Sequence, residues 1–373
     1  MKKTNPSFFQ QCRLPLPGLL ILFLLVTGYP LPCLQAQPVP EKGESIFDLL
    51  SKNGKAVQLA LRTDMDKLIN DRAREDDYQP AKLTYPDAGG IVAQLELDVI
   101  PRGNYRRRIC DFPPILFNFS KDGLEKMGLD RRYDKMKLVT YCKENPEAES
   151  HLLKEYLAYR IYNLISPKSY RVQLARITYQ DSEGKHGNME QYGILIEDTD
   201  EMARRIGGSE CECWNYPPDS ISLADENRMS VFQYMIGNED WSVQTLRNIK
   251  LIRPDDGSKT VLVPYDFDFS GFVETPYAVP NSQLGITSIT QRKFLGFKAR
   301  QELLTETLKA FDLKREEIQA LIKGFDKLIN AERKKAARYI DSFYKKKVQE
   351  KLAEEALESP SGFPEEQRNA AGN

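Results

Sequence analysis

The stretch "VFQYMIGNEDWSVQTLRNIKLI", residues 231–252, decides how the rest of the chain is read. It opens as an apolar helical run, stops at Gly237 and then delivers Asn238, Glu239 and Asp240 in succession. Asn248 follows eight residues after Asp240, and the strand-like "IKLI" comes next. A glycine just past a periodic apolar run is a helix stop. Polar groups held between a buried helix and a buried strand cost free energy unless they are paired or meet a ligand. This junction is therefore the first candidate site.

On its C-terminal side, "NIKLIRPDDGSKTVLVPYDFDFSG" (248–271) reads as a hairpin with an Asp-Asp-Gly turn. Strand alternation through "VLVPYDFDFSG" puts Asp266 and Asp268 on one face, and Tyr265, Phe267 and Phe269 on the other. Two neighbouring carboxylates on an apolar strand repel each other. A divalent cation relieves that repulsion, and so does hydration at the strand's mouth beside Gly271.

On its N-terminal side the chain is rich in strand patterns. "AVQLALRT" (56–63), "AKLTYPDAGG" (81–90), "VAQLELDVIPRGN" (92–104), "PILFNFSK" (114–121) and "MKLVTYC" (136–142) read as strands, with a short helix at 64–72. Leu95, Leu97 and Val99 share one face. A helix over 145–166 follows, then two strands ending at Glu197 and Asp198, a loop-rich connection over 199–222, and the helix that closes at Ile236. From Lys298 to Glu358 the pattern is helical, and its charge run reads as a solvated face. The expected organisation is a lead-in at 37–55, a β-rich unit at 56–198, a more helical unit at 199–358 and a disordered tail at 359–373.

The 373 residues are 41% hydrophobic and 29% charged, a globular composition. A net charge of −1 gives no basic excess for nucleic acid. Only His151 and His186 are present, which argues against a Ser-His-Asp triad and a histidine-rich metal site. Residues 1–36 read as a signal peptide: Lys2, Lys3 and Arg13 precede the apolar run 18–29, and "LQA" offers cleavage after Ala36. Lipid attachment at Cys33 and retention as an anchor are the alternatives. The expected location is outside the cytoplasm, periplasmic, envelope-associated or secreted, with no integral span after cleavage. Four cysteines then remain, Cys110, Cys142, Cys211 and Cys213, enough for two disulfides. Cys211 and Cys213 are expected to take separate partners, because the ring they would close together is small. Buried free thiols and a four-thiolate zinc site are the other readings.

Asp240, Asn248 and Asp266 fall in an order that suits phosphoryl transfer. That chemistry needs one carboxylate to orient a hydroxyl, and an amide and a second carboxylate to hold magnesium against phosphates. Lys137 on a strand and Glu155 on a helix, eighteen residues on, supply the cation and its partner for phosphate orientation.

Across about residues 56–300 the chain resembles the spore-coat protein H (CotH) kinase-like family, in a diverged bacterial branch. The resemblance lies in "PRGNYRR" (101–107), "KLVTYCKENPEAESHLLKEYLAYRIYN" (137–163), "YGILIED" (192–198), "GNEDW" (237–241), "NIKL" (248–251) and "PYDFDFSG" (264–271). It implies an α+β, bilobal protein-kinase-like fold, with a β-rich N-terminal lobe and a mostly helical C-terminal lobe. It implies ATP with Mg²⁺ or Mn²⁺, and phosphorylation of protein hydroxyls or descent from such an enzyme. By position, Asp240 matches the catalytic aspartate, Asp266 the metal-binding aspartate with Asp268 as its alternative, and Asn248 the metal-binding asparagine. Lys137, Glu155 and Arg102 are the expected nucleotide contacts, Arg102 in place of a glycine-rich loop. Two other functions are open. One is a non-catalytic binding or scaffold protein of the cell envelope. The other is a glycan hydrolase using Asp240 and Asp266, which requires carboxyls about 5–5.5 Å or 6.5–9.5 Å apart.

Overall fold

Period-two alternation fixes which side chains point inward along the strands. In β1 (Val57–Thr63), Leu59, Leu61 and Thr63 are buried; in β2 (Gln79–Pro86), Ala81, Leu83 and Tyr85 are. β3 (Val92–Pro101) buries Leu95, Leu97 and Val99, and β4 (Ile115–Phe119) buries Ile115, Phe117 and Phe119. β5 (Lys135–Val139), β6 (Val172–Asp181) and β7 (Met189–Ile196) complete a seven-stranded sheet. The computed structural model describes residues 43–52, 54–70, 77–86, 92–103 and 105–359. The expected signal segment 1–36, the first six residues of the lead-in (37–42), the turn at 87–90 and nearly all of the tail lie outside the described residues.

The sheet closes on itself in the order β1-β2-β3-β4-β5-β7-β6. Closure is made by the parallel pairing of β1 with β6, running from Val57 against Ala175 to Thr63 against Asp181. Gly193 on β7 permits the tight interior: a Cβ there would lie 2.6 Å from Leu138 Cδ1 and 2.9 Å from Ile177 Cδ1. The barrel overturns the expected bilobal protein-kinase-like fold. The α+β content stands, but the strands form a closed mixed barrel where an open lobe was expected, because β1 finds a partner more than a hundred residues away.

Among the described residues there are five helices of thirteen residues or more, α1 (Ala148–Ile165), α2 (Leu223–Ile236), α3 (Gln301–Lys323), α4 (Asn330–Phe343) and α5 (Lys346–Glu358), of which α1 packs against β6 and β7. α3 touches both α1 and α2, and Tyr162 of α1 stacks on Phe232 of α2 at 4.6 Å. A second sheet, ordered β10-β9-β8, comprises β8 (Gly208–Glu210), β9 (Ile249–Pro254) and β10 (Val261–Pro264). β9 and β10 are the hairpin read from sequence. The 199–222 connection is more regular than expected, since it holds the helix Thr199–Arg205 as well as β8. Among the described residues, no helix is long and apolar enough to cross a membrane.

Ser222 caps α2 by accepting from Asp225 N, and Gly237 ends it at φ +63°. The stop is stitched to the later loop: Gly271 N donates to Gly237 O at 2.9 Å and Phe272 N to Ile236 O at 3.0 Å. A Cβ on Gly237 would collide with the Tyr339 hydroxyl. Gly237→Ala is therefore expected to destabilise the protein by about 2–4 kcal/mol, from left-handed strain plus overpacking. Urea unfolding measures this, and a loss under about 1 kcal/mol would mean that Tyr339 swings clear.

Candidate functional site

Between the barrel end and the β8–β9–β10 sheet lies a cavity of about 900 Å³. Six of the residues nominated from sequence line it: Arg102, Lys137, Asp240, Asn248, Asp266 and Asp268. Its volume is in the range of sites for drug-sized or cofactor-sized ligands.

Asp240 is placed by its neighbours. Asn238, fully buried, donates from Nδ2 to Gln233 Oε1 at 3.0 Å and accepts from Asp240 N at 3.1 Å. Asn248, at φ +55°, donates from Nδ2 to the Asp240 carbonyl at 2.7 Å and to Asp240 Oδ2 at 2.9 Å. Arg247 Nε stands 3.3 Å from Asp240 Oδ1. Burial raises the Asp240 carboxyl above its ordinary range, with Asp266 adding to the rise and Arg247 opposing it. Glu239 accepts from Asn281 N at 3.3 Å and is not among the lining residues.

β10 ends at Pro264, so the expected alternation through 265–269 does not occur. Asp266 takes φ +61° and donates its N–H to the Tyr159 hydroxyl at 2.8 Å. Phe267 is fully buried, 4.6 Å from the Tyr159 ring and 5.4 Å from Phe232. That anchor turns both aspartates toward the cavity. Asp268 is buried and accepts from the Tyr277 hydroxyl at 2.8 Å. Burial, then the charge of Asp266, hold its carboxyl well above the usual carboxylate range.

The expected Lys137–Glu155 pair is absent. Glu155, buried on α1, receives Arg106 NH1 at 3.3 Å instead and does not line the cavity. Burial pushes its pKa up to about 7 despite Arg106. Lys137 Nζ donates to Thr199 Oγ1 at 2.8 Å and lies over the rings of Tyr170 (5.0 Å) and Tyr265 (5.6 Å). No carboxylate among the described residues comes within ion-pair distance of it. Burial first, then the charges of Arg102 and Lys250, lower its pKa to about 7.

Arg106 is the residue that sequence reasoning passed over. Its guanidinium is buried in the cavity wall. NH2 donates to Thr140 O at 2.7 Å, and NH1 lies 3.7 Å from both Asp266 Oδ1 and Asp268 Oδ2 as well as near Glu155. It holds the two aspartates and the helix glutamate around one cation. The available signal was "YRRR" (105–108), in which the first arginine is buried, the second half-buried and the third exposed.

Asp266, Asp268 and Asn248 line one cavity and carry hard oxygen donors, the type of ligand a magnesium-class ion takes. Among the described residues, no group of three or more His, Cys, Asp or Glu side chains forms a metal cage. Such an ion would therefore draw its remaining ligands from water and phosphate oxygens, the ordinary arrangement for magnesium.

The cysteines pair as Cys110–Cys142 and Cys211–Cys213. The expectation that Cys211 and Cys213 take separate partners is overturned. Cys110 and Cys142 lie side by side, with Asp111 N donating to Cys142 O at 2.7 Å, and satisfy each other. Cys211 and Cys213 are left to each other, their Cα atoms 5.2 Å apart, an ordinary disulfide span.

No family profile matches the chain, and no curated protein matches it. Among solved structures it is similar to the Helicobacter pylori proinflammatory kinase CtkA, at 11% identity and a TM-score of 0.37, over 70% of this chain and 97% of that one. Likeness at that level assigns neither family nor activity.

Proposed function

We propose that the cavity binds ATP and that the protein transfers the terminal phosphate to a hydroxyl on another protein. The observation that carries this reading is the meeting, in one cavity, of a lysine without a carboxylate partner and a placed aspartate. A desolvated cation whose nearest carboxylates, Asp198 and Glu210, act on it only from beyond ion-pair distance offers a site for an anion. Arg102 lines the same cavity and adds to that field, while Lys250 is paired there with Glu210. Asp240 has the position and the raised proton affinity to accept a proton from an acceptor hydroxyl. Asn248 holds it by two hydrogen bonds. A divalent ion on Asp266, Asp268 and Asn248 would neutralise phosphate charge when bound. We place the activity outside the cytoplasm, on the signal-like first 36 residues.

Calorimetry on residues 37–373 with ATP and Mg²⁺ or Mn²⁺ tests this. Metal-dependent binding is expected, and Asp266→Ala should remove most of the metal dependence. Asp240→Ala should keep binding within a few-fold while phosphate transfer falls by about 10²–10⁴. Absence of ATP binding with either metal would sink the reading.

A second reading has an observation of its own. Arg247 and Asn248 both hold the Asp240 carboxylate, so the candidate base is already engaged. That favours a non-catalytic envelope binding protein which uses the cavity for recognition alone. ATP binding without transfer in the wild-type chain would support it.

A further inference from the structure

The second disulfide differs from the first in its surroundings. Cys110 and Cys142 are 1% and 5% exposed, closed within the fold. Cys211 and Cys213 flank a single residue at the exit of β8, and Cys213 is only partly buried. Cys211 is fixed by its N–H, which donates to Leu251 O at 2.8 Å, and it lines the large cavity. Arg253 on β9 places NH2 3.1 Å from Cys213 Sγ. That guanidinium lies 5.6 Å from the Tyr216 ring, and Tyr216 is tied to Thr260 at 2.8 Å. The cation is thus braced beside one sulfur of the pair.

We propose that Cys211–Cys213 is a redox-active dithiol, exchanging reversibly with thiols of the glutathione class, while Cys110–Cys142 is purely structural. A cation beside a sulfur favours its thiolate, and a stabilised thiolate leaves faster in exchange. Cys213 is accordingly the leaving sulfur, and Cys211, reached from the cavity, is the sulfur attacked. An external thiolate bonds to Cys211 Sγ as the Cys211–Cys213 bond breaks, and the electron pair goes to Cys213, held by Arg253. A second external thiolate attacks the external sulfur of the mixed disulfide and releases Cys211 as a thiolate. Two external thiols become one disulfide, and two electrons enter the protein pair. In reverse, the Cys211 thiolate opens an incoming disulfide, and the Cys213 thiolate then attacks Cys211 Sγ, re-forming the pair and expelling the external thiolate. This inference does not depend on the ATP reading.

The test uses the oxidised mature chain, residues 37–373, in glutathione buffers of graded ratio, followed by acid quench, thiol alkylation and peptide mass spectrometry. The expected result is reversible conversion of the 211/213 peptide at ratios that leave Cys110–Cys142 fully oxidised. Arg253→Gln should slow exchange about three- to tenfold, because the leaving thiolate loses its cation. Trp214, 70% exposed beside Cys213, gives a second readout. Its fluorescence should track the reduction, and Trp214→Phe should remove that signal. The proposal is overturned if both disulfides reduce together, if Cys211 and Cys213 alkylate without any reductant, or if Arg253→Gln leaves the rate unchanged.

Discussion

Lys137→Met is expected to make the protein more stable and, in the same molecule, to weaken its affinity for ATP. The two effects have one cause. Lys137 is a half-buried cation in the cavity wall, in contact with one hydroxyl and two aromatic faces. Burial, helped by Arg102 and Lys250, brings its pKa down from 10.5 to about 7. The unfolded chain binds that proton up to about pH 10.5, and the folded chain releases it near pH 7. Between those values the unfolded state carries more protons, so stability rises with pH across the window. Below pH 7 the penalty for burying the charge is fully present. Methionine keeps the length and removes the charge. The expected gain is on the order of 2 kcal/mol at pH 7, discounted for cavity water that reaches the amine. The gain should shrink toward pH 10.5 and vanish above it. Thermal unfolding of both proteins from pH 6 to 10 measures this. For binding the sign reverses. A bound phosphate restores the charge, so wild-type ATP affinity should fall as pH rises above 7, with proton uptake visible in buffers of different ionisation enthalpy. Loss of a charge-assisted contact to phosphate should weaken binding about 10- to 100-fold. A variant that is less stable at pH 7 would show that Lys137 serves the fold and not a ligand.

The sequence carried more of the cavity's polar lining than of the fold, and for a physical reason. A polar residue inside an apolar run is conspicuous because burying it costs free energy unless something meets it. Asp240, Asn248, Asp266 and Asp268 stood out on that ground, Lys137 by its place on a strand ahead of the helix carrying Glu155, and all five line one cavity. The period-two pattern also fixed which side chains face inward, as in Leu95, Leu97 and Val99. It could not name partners. Nothing in "VQLALRT" says that it will pair in parallel with Ala175–Asp181, and that one pairing turns an open sheet into a barrel. The glycine in "YGILIED" was the one local trace of a crowded interior, since a side chain at Gly193 would strike Leu138 and Ile177. Ion-pair partners were equally hidden. Glu155 was legible as a helix carboxylate eighteen residues after Lys137, but whether it meets Lys137 or Arg106 depends on how α1 sits against the segment before Cys110. Arginine in a run of three looks solvated until one of them is seen to be walled in.

Removal of the Cys110–Cys142 bridge, as Cys110→Ser with Cys142→Ser, is expected to cost about 4 kcal/mol, the loop entropy of a closure spanning 32 residues. The location of the bridge adds a second consequence. Arg106 sits four residues before Cys110 on a helix only four residues long, too short to hold itself. Its NH2 donates to Thr140 O, two residues before Cys142. The disulfide therefore clamps the Arg106 segment to the end of β5, where the guanidinium gathers Glu155, Asp266 and Asp268. Loosening that clamp frees three carboxylates, two of them buried, from their shared cation, and an unpaired buried charge is far more costly than a missing pair. The double variant should thus lose stability by more than loop entropy alone, and the excess should depend on Arg106. Urea unfolding of the wild type, the cysteine pair variant, Arg106→Gln and the triple combination forms the cycle that separates the terms. A coupling of about 1–3 kcal/mol between the bridge and Arg106 is expected. Strict additivity would mean that the arginine holds its place without the disulfide, and that the bridge acts on the unfolded chain alone.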